Sequence, residues 1–437
     1  MTMKKLEYPG VGETLYRDVL PNGLRLSVAV KPGYTRSFAF FATEYGGADR
    51  RFLLDGNYID TPAGVAHYLE HKMFDMPDGD NALATLAANG AQPNAYTASG
   101  VTGYHFESTA NFDENLRMLL KFVSTPYFTE ESVAKEQGII GQEIRMTEDD
   151  PDHVIYVQLM RCLYARHPIR DSIAGTVESI AEITPAVLYH CHKIFYNPGN
   201  MSLAVVGDVD PEAVRAAAME LLPAEAGPVP KRDYGGDESA ASPAATRVER
   251  AMEVSAPQFL LGVKLPPEKR GDQLLRQRLV CSLALRYLYG QSSPFYSSLY
   301  ARGLLNTDFF ADYDYAAETM TVLAGGESRD PEAVFDAFIS AAAKAAEKGL
   351  DELYFSRCMK AGYGARLRGL SSFSSLGAEL ADADFGGYNY LDAFAMTESI
   401  TAKELRDFIA EHFSGENFAL SVITPVPGAK GAESGHA

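Results

Sequence analysis

Apolar and polar positions along this chain keep two rhythms that alternate in blocks. Period-two runs on either side of Asn22-Gly23 predict a hairpin over 17–30, and 37–45 reads as a further strand ended by Gly46-Gly47. Helical spacing predicts helices over 81–89, closed by Gly90, and over 111–123, 130–147 and much of 154–164. Between them, 92–108 alternates as two strands about Ser99-Gly100. Ile183-Thr184-Pro185 opens another helix through Phe195, and Met201 to Val206 is a buried strand ending in Gly207-Asp208. Strands and helices in such blocks predict a sheet covered by helices.

At 437 residues the chain exceeds one ordinary domain. The stretch between Pro223 and Arg247, rich in Pro, Gly, Ala, Ser and charge, reads as a linker. The expected units are therefore 1–225, a linker at 226–247, and 248–437. The halves repeat each other: Ile183 and Asn200 match Ile400 and Asn417 at one spacing of 217, and Val65 matches Val280 at 215. This predicts an α+β fold of two homologous α/β sandwich domains, each a mixed sheet covered by helices, facing each other as a half-clamshell.

The chemistry concentrates in Asp60 to Phe74, centred on His67-x-x-Glu70-His71. Positions i, i+3 and i+4 share one helix face, so two imidazoles and a carboxylate stand together. Thr61 is the expected cap and Pro62 the first helical residue, with Ala66, Leu69 and Met73 as the apolar stripe. Neutral imidazoles bind zinc, and H-x-x-E-H is a zinc-protease motif. Catalytic zinc needs a third protein ligand. The helix over 129–146 offers Glu136 and Glu143 on one face, almost two turns apart, one to bind metal and the other to orient a histidine. In the second copy Ser282, Leu285 and Arg286 stand where the first has His67, Glu70 and His71, so only the first half can hold the metal.

These residues resemble the pitrilysin/insulinase family of zinc peptidases, and HYLEHKMF with KEQGIIGQEI is similar to its bacterial half-length, two-subunit members. The resemblance covers most of Gly10 to Asp210. It implies one Zn2+ per chain bound by His67, His71 and Glu143, with Glu70 as general base and Glu136 as the supporting acid of the catalytic machinery. It also implies that Asn94, Ala95, Tyr96 and Thr97 form the strand that pairs with the substrate backbone. The implied activity is endopeptidase action on short or unfolded peptides.

One departure stands out. Where many members carry L-R-x-x-G-L-x-Y, this chain has Leu299 to Asn306, with Tyr300 at the arginine place and Asn306 at the tyrosine place. Arg302, read as a solvated helix end, and Tyr313 and Tyr315 are the local substitutes. The missing pair points to a homodimer, or to a heterodimer with a related non-zinc subunit that supplies it. The alternative is a non-catalytic assembly member of the same family.

Composition narrows the setting. A net charge of −19 argues against a nucleic-acid surface. No apolar run reaches membrane-spanning length, no secretory leader is visible after Lys4-Lys5, and the expectation is cytoplasmic. Cys162, Cys191, Cys281 and Cys358 are widely spaced and read as buried free thiols. His105, His153, His190 and His192 read as core or surface histidines; the last two lie about 200° apart on a helix and cannot share a metal. No G-x-S-x-G, P-loop or G-x-G-x-x-G context is present to support a serine hydrolase or a nucleotide enzyme.

Overall fold

The computed structural model describes residues 2–239, 242–413 and 417–427. The predicted hairpin forms as β2 (Glu13–Val19) and β3 (Arg25–Val30), preceded by β1 (Lys4–Tyr8). Gly23 sits between β2 and β3 at φ 85°, a conformation that costs glycine little. Then come β4 (Ser37–Thr43), the small hairpin of β5 (Arg51–Leu54) and β6 (Asn57–Asp60), the antiparallel pair β7 (Ala91–Thr97) and β8 (Thr102–Ser108), and β9 (Met201–Gly207). The main sheet has the order β1-β2-β3-β9-β4-β8-β7, and β3–β9 is its parallel pair. Every residue of β4 and β9 is buried, so these strands read as unbroken apolar runs.

One face of this sheet is covered by helices of its own half: α1 (Val65–Lys72), α2 (Ala82–Ala88), α3 (Phe112–Ser124), α4 (Glu130–Glu148), and, beyond α5 (Pro151–Leu163), α6 (Val177–Ile180), α7 (Pro185–Phe195) and α8 (Pro211–Leu221). Side-chain caps explain where several begin. Thr129 and Ser132 form a reciprocal box at the start of α4, and Thr184 caps α7 ahead of Pro185.

Part of the Pro- and Gly-rich stretch is fastened to the first half. Its strand β10 (Lys231–Arg232) pairs with β5, Tyr234 donates to Asp49 at 2.7 Å, and Glu238 accepts the backbone N–H groups of Arg166 and His167. Residues 240 and 241 of the stretch lie outside the described residues.

The second half repeats the sheet. Strands β11 (Arg247–Met252), β12 (Gln258–Leu265), β13 (Phe310–Ala316), β14 (Thr319–Glu327) and β15 (Phe418–Pro425) have the order β11-β15-β12-β14-β13. That is the order β3-β9-β4-β8-β7 again, with the parallel pair in the same place. Its helices are α9 (Asp272–Tyr289), α10 (Pro294–Ala301), α11 (Pro331–Lys348), α12 (Glu352–Gly369), α13 (Phe373–Gly386), α14 (Ala393–Glu398) and α15 (Ala402–His412). Thr401 caps α15 as Thr184 caps α7.

The halves also trade helices. Helix α13 lies on the free face of the first sheet, where Phe373, Leu376 and Leu380 meet Phe38, Phe40 and Val206. Helix α5 does the converse on the second sheet, packing Leu159 and Leu163 against Leu260 and Ile423. Asp384 anchors the exchange: it is buried and accepts from Ser202 at 2.8 Å, from Ser27 and from Arg17. Each sheet thus has both faces covered, one of them by the other half.

Candidate metal centre

The entry to α1 differs from the sequence expectation. Thr61 does not cap it; its N–H and hydroxyl bond the Arg50 carbonyl at 2.8 and 3.1 Å, and the helix begins at Val65 rather than Pro62. Gly64 turns the chain at φ 95°, and a Cβ there would lie 2.5 Å from the Ala174 carbonyl oxygen. The bend is pressed against that backbone and admits only glycine. The apolar stripe stands as expected, with Ala66, Leu69 and Met73 buried. Buried Tyr68 on the same helix donates to the Val133 carbonyl, tying α1 to α4.

That tie brings three predicted residues together. The His67 and His71 rings have centroids 4.6 Å apart. Their Nε2 atoms lie 3.5 and 3.6 Å from the two carboxylate oxygens of Glu143, and the three residues can offer ligand atoms all within 4.8 Å of one another. Metal–ligand bonds of about 2.0–2.1 Å at tetrahedral angles put neighbouring donor atoms roughly 3.3 Å apart. The set therefore fits a small divalent cation in size and donor chemistry. It supplies three ligands, which leaves a tetrahedral ion one position for water or substrate.

Glu136 occupies the supporting position. Its Oε1 lies 2.9 Å from His71 Nδ1, so a proton held there leaves the Nε2 lone pair facing Glu143. The bond to His71 holds the Glu136 carboxyl below its usual range and raises the His71 imidazole. Glu143 is likewise lowered by its contact with His67. His67 lacks an equivalent brace, and its buried Nδ1 has no partner among the described residues.

Glu70 points to the strand side. Its Oε2 accepts the Thr97 hydroxyl at 2.7 Å, and Thr97 ends β7, the outermost strand of the sheet. Among the described residues no strand pairs with the outer edge of β7. Asn94 and Tyr96 are exposed along it while Ala95 and Thr97 are half-buried; Tyr96 stacks on Phe40 at 5.8 Å.

Two features escaped the sequence reading. Thr97 touches Glu70 itself, whereas the motif placed it only in a substrate strand. Lys72 is 2% exposed, bonds Asp75, and sits 3.7 Å from Glu136 Oε2, behind the His71 brace. The signal was present: a lysine between Leu69 and Met73, with an acid three residues on.

The remaining candidates lie apart from this cluster. His192 is buried and bonds the Val123 carbonyl, His190 is exposed, and His105 sits against Phe38 and Phe40. Arg302 is an exposed C-cap of α10. Tyr300 is exposed beside Tyr296, while Tyr313 and Tyr315 flank the Arg278 guanidinium in the second half. All four cysteines are buried and free.

Proteins of known sequence and structure resemble the chain over most of its length. Residues 56–177 match the model described as insulinase, peptidase family M16, and residues 182–361 match the M16 inactive domain. The chain is 36% identical over 432 residues to YmfH of Bacillus subtilis, named an uncharacterized zinc protease, covering 97% of this chain and 99% of the relative. A crystal structure described as an M16-like peptidase from Alicyclobacillus acidocaldarius superposes with a TM-score of 0.90 at 33% identity, covering 96% and 100% of the two chains. Pitrilysin shares the fold at 16% identity and TM-score 0.74; 97% of this chain spans 47% of that one.

Proposed function

The chain belongs to the insulinase family, peptidase family M16, and from that premise we propose that it is a zinc-dependent endopeptidase acting on short or unfolded peptides. The observation that carries the reading is the convergence of His67, His71 and Glu143 beside a Glu70 held in place by Thr97. His67, His71 and Glu143 hold one zinc ion per chain in this reading. Bound there, zinc supplies Lewis acidity toward a water and a peptide carbonyl.

The chain's own groups do the rest. Glu70 takes the proton of the attacking water on its carboxylate and returns it to the leaving amine. The Thr97 hydroxyl, donating to Oε2, leaves the other oxygen of Glu70 for that task. Glu136 fixes the His71 ring with Nε2 turned to the metal side. An extended peptide adds as a strand along Asn94, Ala95, Tyr96 and Thr97, bound through backbone groups and so with little demand on sequence.

The chain spans about half of pitrilysin and has Tyr300 and Asn306 in place of the family's Arg and Tyr. We read it as the zinc subunit of a two-subunit enzyme, a homodimer or a heterodimer whose partner supplies that pair. Among the described residues no helix is long and apolar enough to cross a membrane, and four free thiols fit a cytoplasmic setting. The alternative, a non-catalytic assembly member, is disfavoured because His67, Glu70, His71 and Glu143 all stand.

The test is Glu70→Gln. Zinc content is expected to stay, while cleavage of a quenched mixed-sequence peptide library falls by roughly a hundredfold or more. Full turnover by that variant would remove Glu70 from the base role.

A further inference from the structure

The duplicated fold places a second pocket where the metal centre would recur. In the first half α1 supplies His67 and His71, and α4 supplies Glu143. Helices α9 and α12 hold the matching places in the second half, α12 being, like α4, the second helix after the edge strands of its sheet. There α9 presents Ser282 and Arg286 at the places of His67 and His71, and α12 presents Arg366 one position beyond the place of Glu143, counted from the first residue of each helix. Arg286 reaches α12, its Nε lying 3.7 Å from where a Cβ on Gly362 would stand.

All three side chains line a cavity of about 420 Å³, large enough for a small organic ligand. Arg278, one turn before Ser282, is already claimed by Asp382 and the Tyr388 hydroxyl. Arg286 and Arg366 are different: among the described residues neither has an acid within ion-pair distance, and Arg366 meets the hydroxyls of Thr397 and of Tyr390, which lines the same cavity. Two acids also face the space, Asp312 and Glu379. Asp312 is engaged by the Tyr313 N–H, and burial pushes the Glu379 carboxyl above its ordinary range. A site built from His, His and Glu for a cation has been replaced by one built from Ser, Arg and Arg.

We infer that this second-half pocket binds a small organic carboxylate with an apolar body, gripped by Arg286 and Arg366. Guanidinium groups meet carboxylates through paired N–H donors. Leu279, Leu283 and Met359 give the body an apolar wall. The facing acids, Asp312 and Glu379, offset the guanidinium charge, which disfavours a phosphate or polyphosphate more than a monoanion. The inference does not depend on metal binding or on peptide hydrolysis.

Calorimetric titration of the full chain tests it, with N-acetyl-L-leucine, its amide and inorganic phosphate as probes, each with and without a chelator. The acid is expected to bind at least tenfold more tightly than the amide and more tightly than phosphate, and the chelator is expected to change nothing. Arg286→Met and Arg366→Met are each expected to weaken the acid tenfold or more, with Arg286→Lys in between. Undetectable acid binding, or equal binding of acid and amide by the unaltered chain, overturns the proposal whatever the variants do. So do tighter binding of phosphate, loss of binding on chelation, and arginine variants that bind like the parent.

Discussion

Helices α1 and α9 sit in matching places on matching sheets and each is entered through a glycine at positive φ, yet one has 8 residues and the other 18. In α1 the face turned to α4 carries His67 and His71, both largely buried, with His71 braced by Glu136. In α9 the corresponding positions carry Ser282 and Arg286 beside an apolar core that includes Leu279, Leu283 and Leu285. The scaffold tolerates either set because the sheet order and the buried stripe are held by other residues. Chemistry here is decided by about three polar side chains on two helices, and the fold is nearly indifferent to them.

The most forceful way to break that comparison is to write the second half's residues into the first. The combined change His67→Ser, Glu70→Leu and His71→Arg is expected to abolish metal binding and peptide cleavage while the chain still folds, checked by metal analysis and thermal melting. Collapse of the fold would show that α1, unlike α9, needs its polar face. The exchange of α5 and α13 predicts that the halves melt together. Asp384→Asn leaves Arg17 and two serines around a weaker acceptor and is expected to cost about 3 kcal/mol in denaturant unfolding, in one transition. Two separate transitions would mean that the shared helices do not couple the halves.

Smaller effects sharpen the picture of α1. Lys72→Met removes the buried cation behind Glu136, and metal affinity by chelator competition is expected to fall roughly tenfold, in line with other outer-sphere changes. The loss should vanish when Glu136→Gln is already present; an undiminished loss in that background would place Lys72 outside the brace. Acid sensitivity is the gentlest probe. Burial lowers His167 and His192 to about 4 from an ordinary 6.5. A depressed folded value means that their neutral forms stabilise the fold above pH 6.5, and that this stability is lost as pH falls toward 4. His167 also bridges the halves through the Ala317 carbonyl at 3.1 Å. Replacing either by Gln should flatten stability against pH in that window by about 1 kcal/mol per pH unit. An unchanged slope would mean that neither ring is buried neutral in solution.

Much of this was legible along the chain. The hairpin at Asn22-Gly23, the helices over α3, α4 and α7, and the repeat joining Ile183 to Ile400 follow from apolar period and turn chemistry, which are local. His67, Glu70 and His71 were legible for the same reason, since one helix turn fixes their common face. What was not legible involved partners distant in sequence. The start of α1 at Gly64 is set by the backbone of Ala174, and β1, β5 and β6 are short or polar strands that owe their place to neighbours. The exchange of α5 and α13 leaves no local mark, because an amphipathic helix shows that it has a buried face and not which sheet lies under it. The sequence by itself determined most elements of the first half, the duplication, and the common helix face of His67, Glu70 and His71. Only the tertiary structure brought Glu143 to His67 and His71, set Lys72 behind Glu136 and turned Arg286 toward α12, because those contacts join residues whose distance along the chain carries no information about their distance in space.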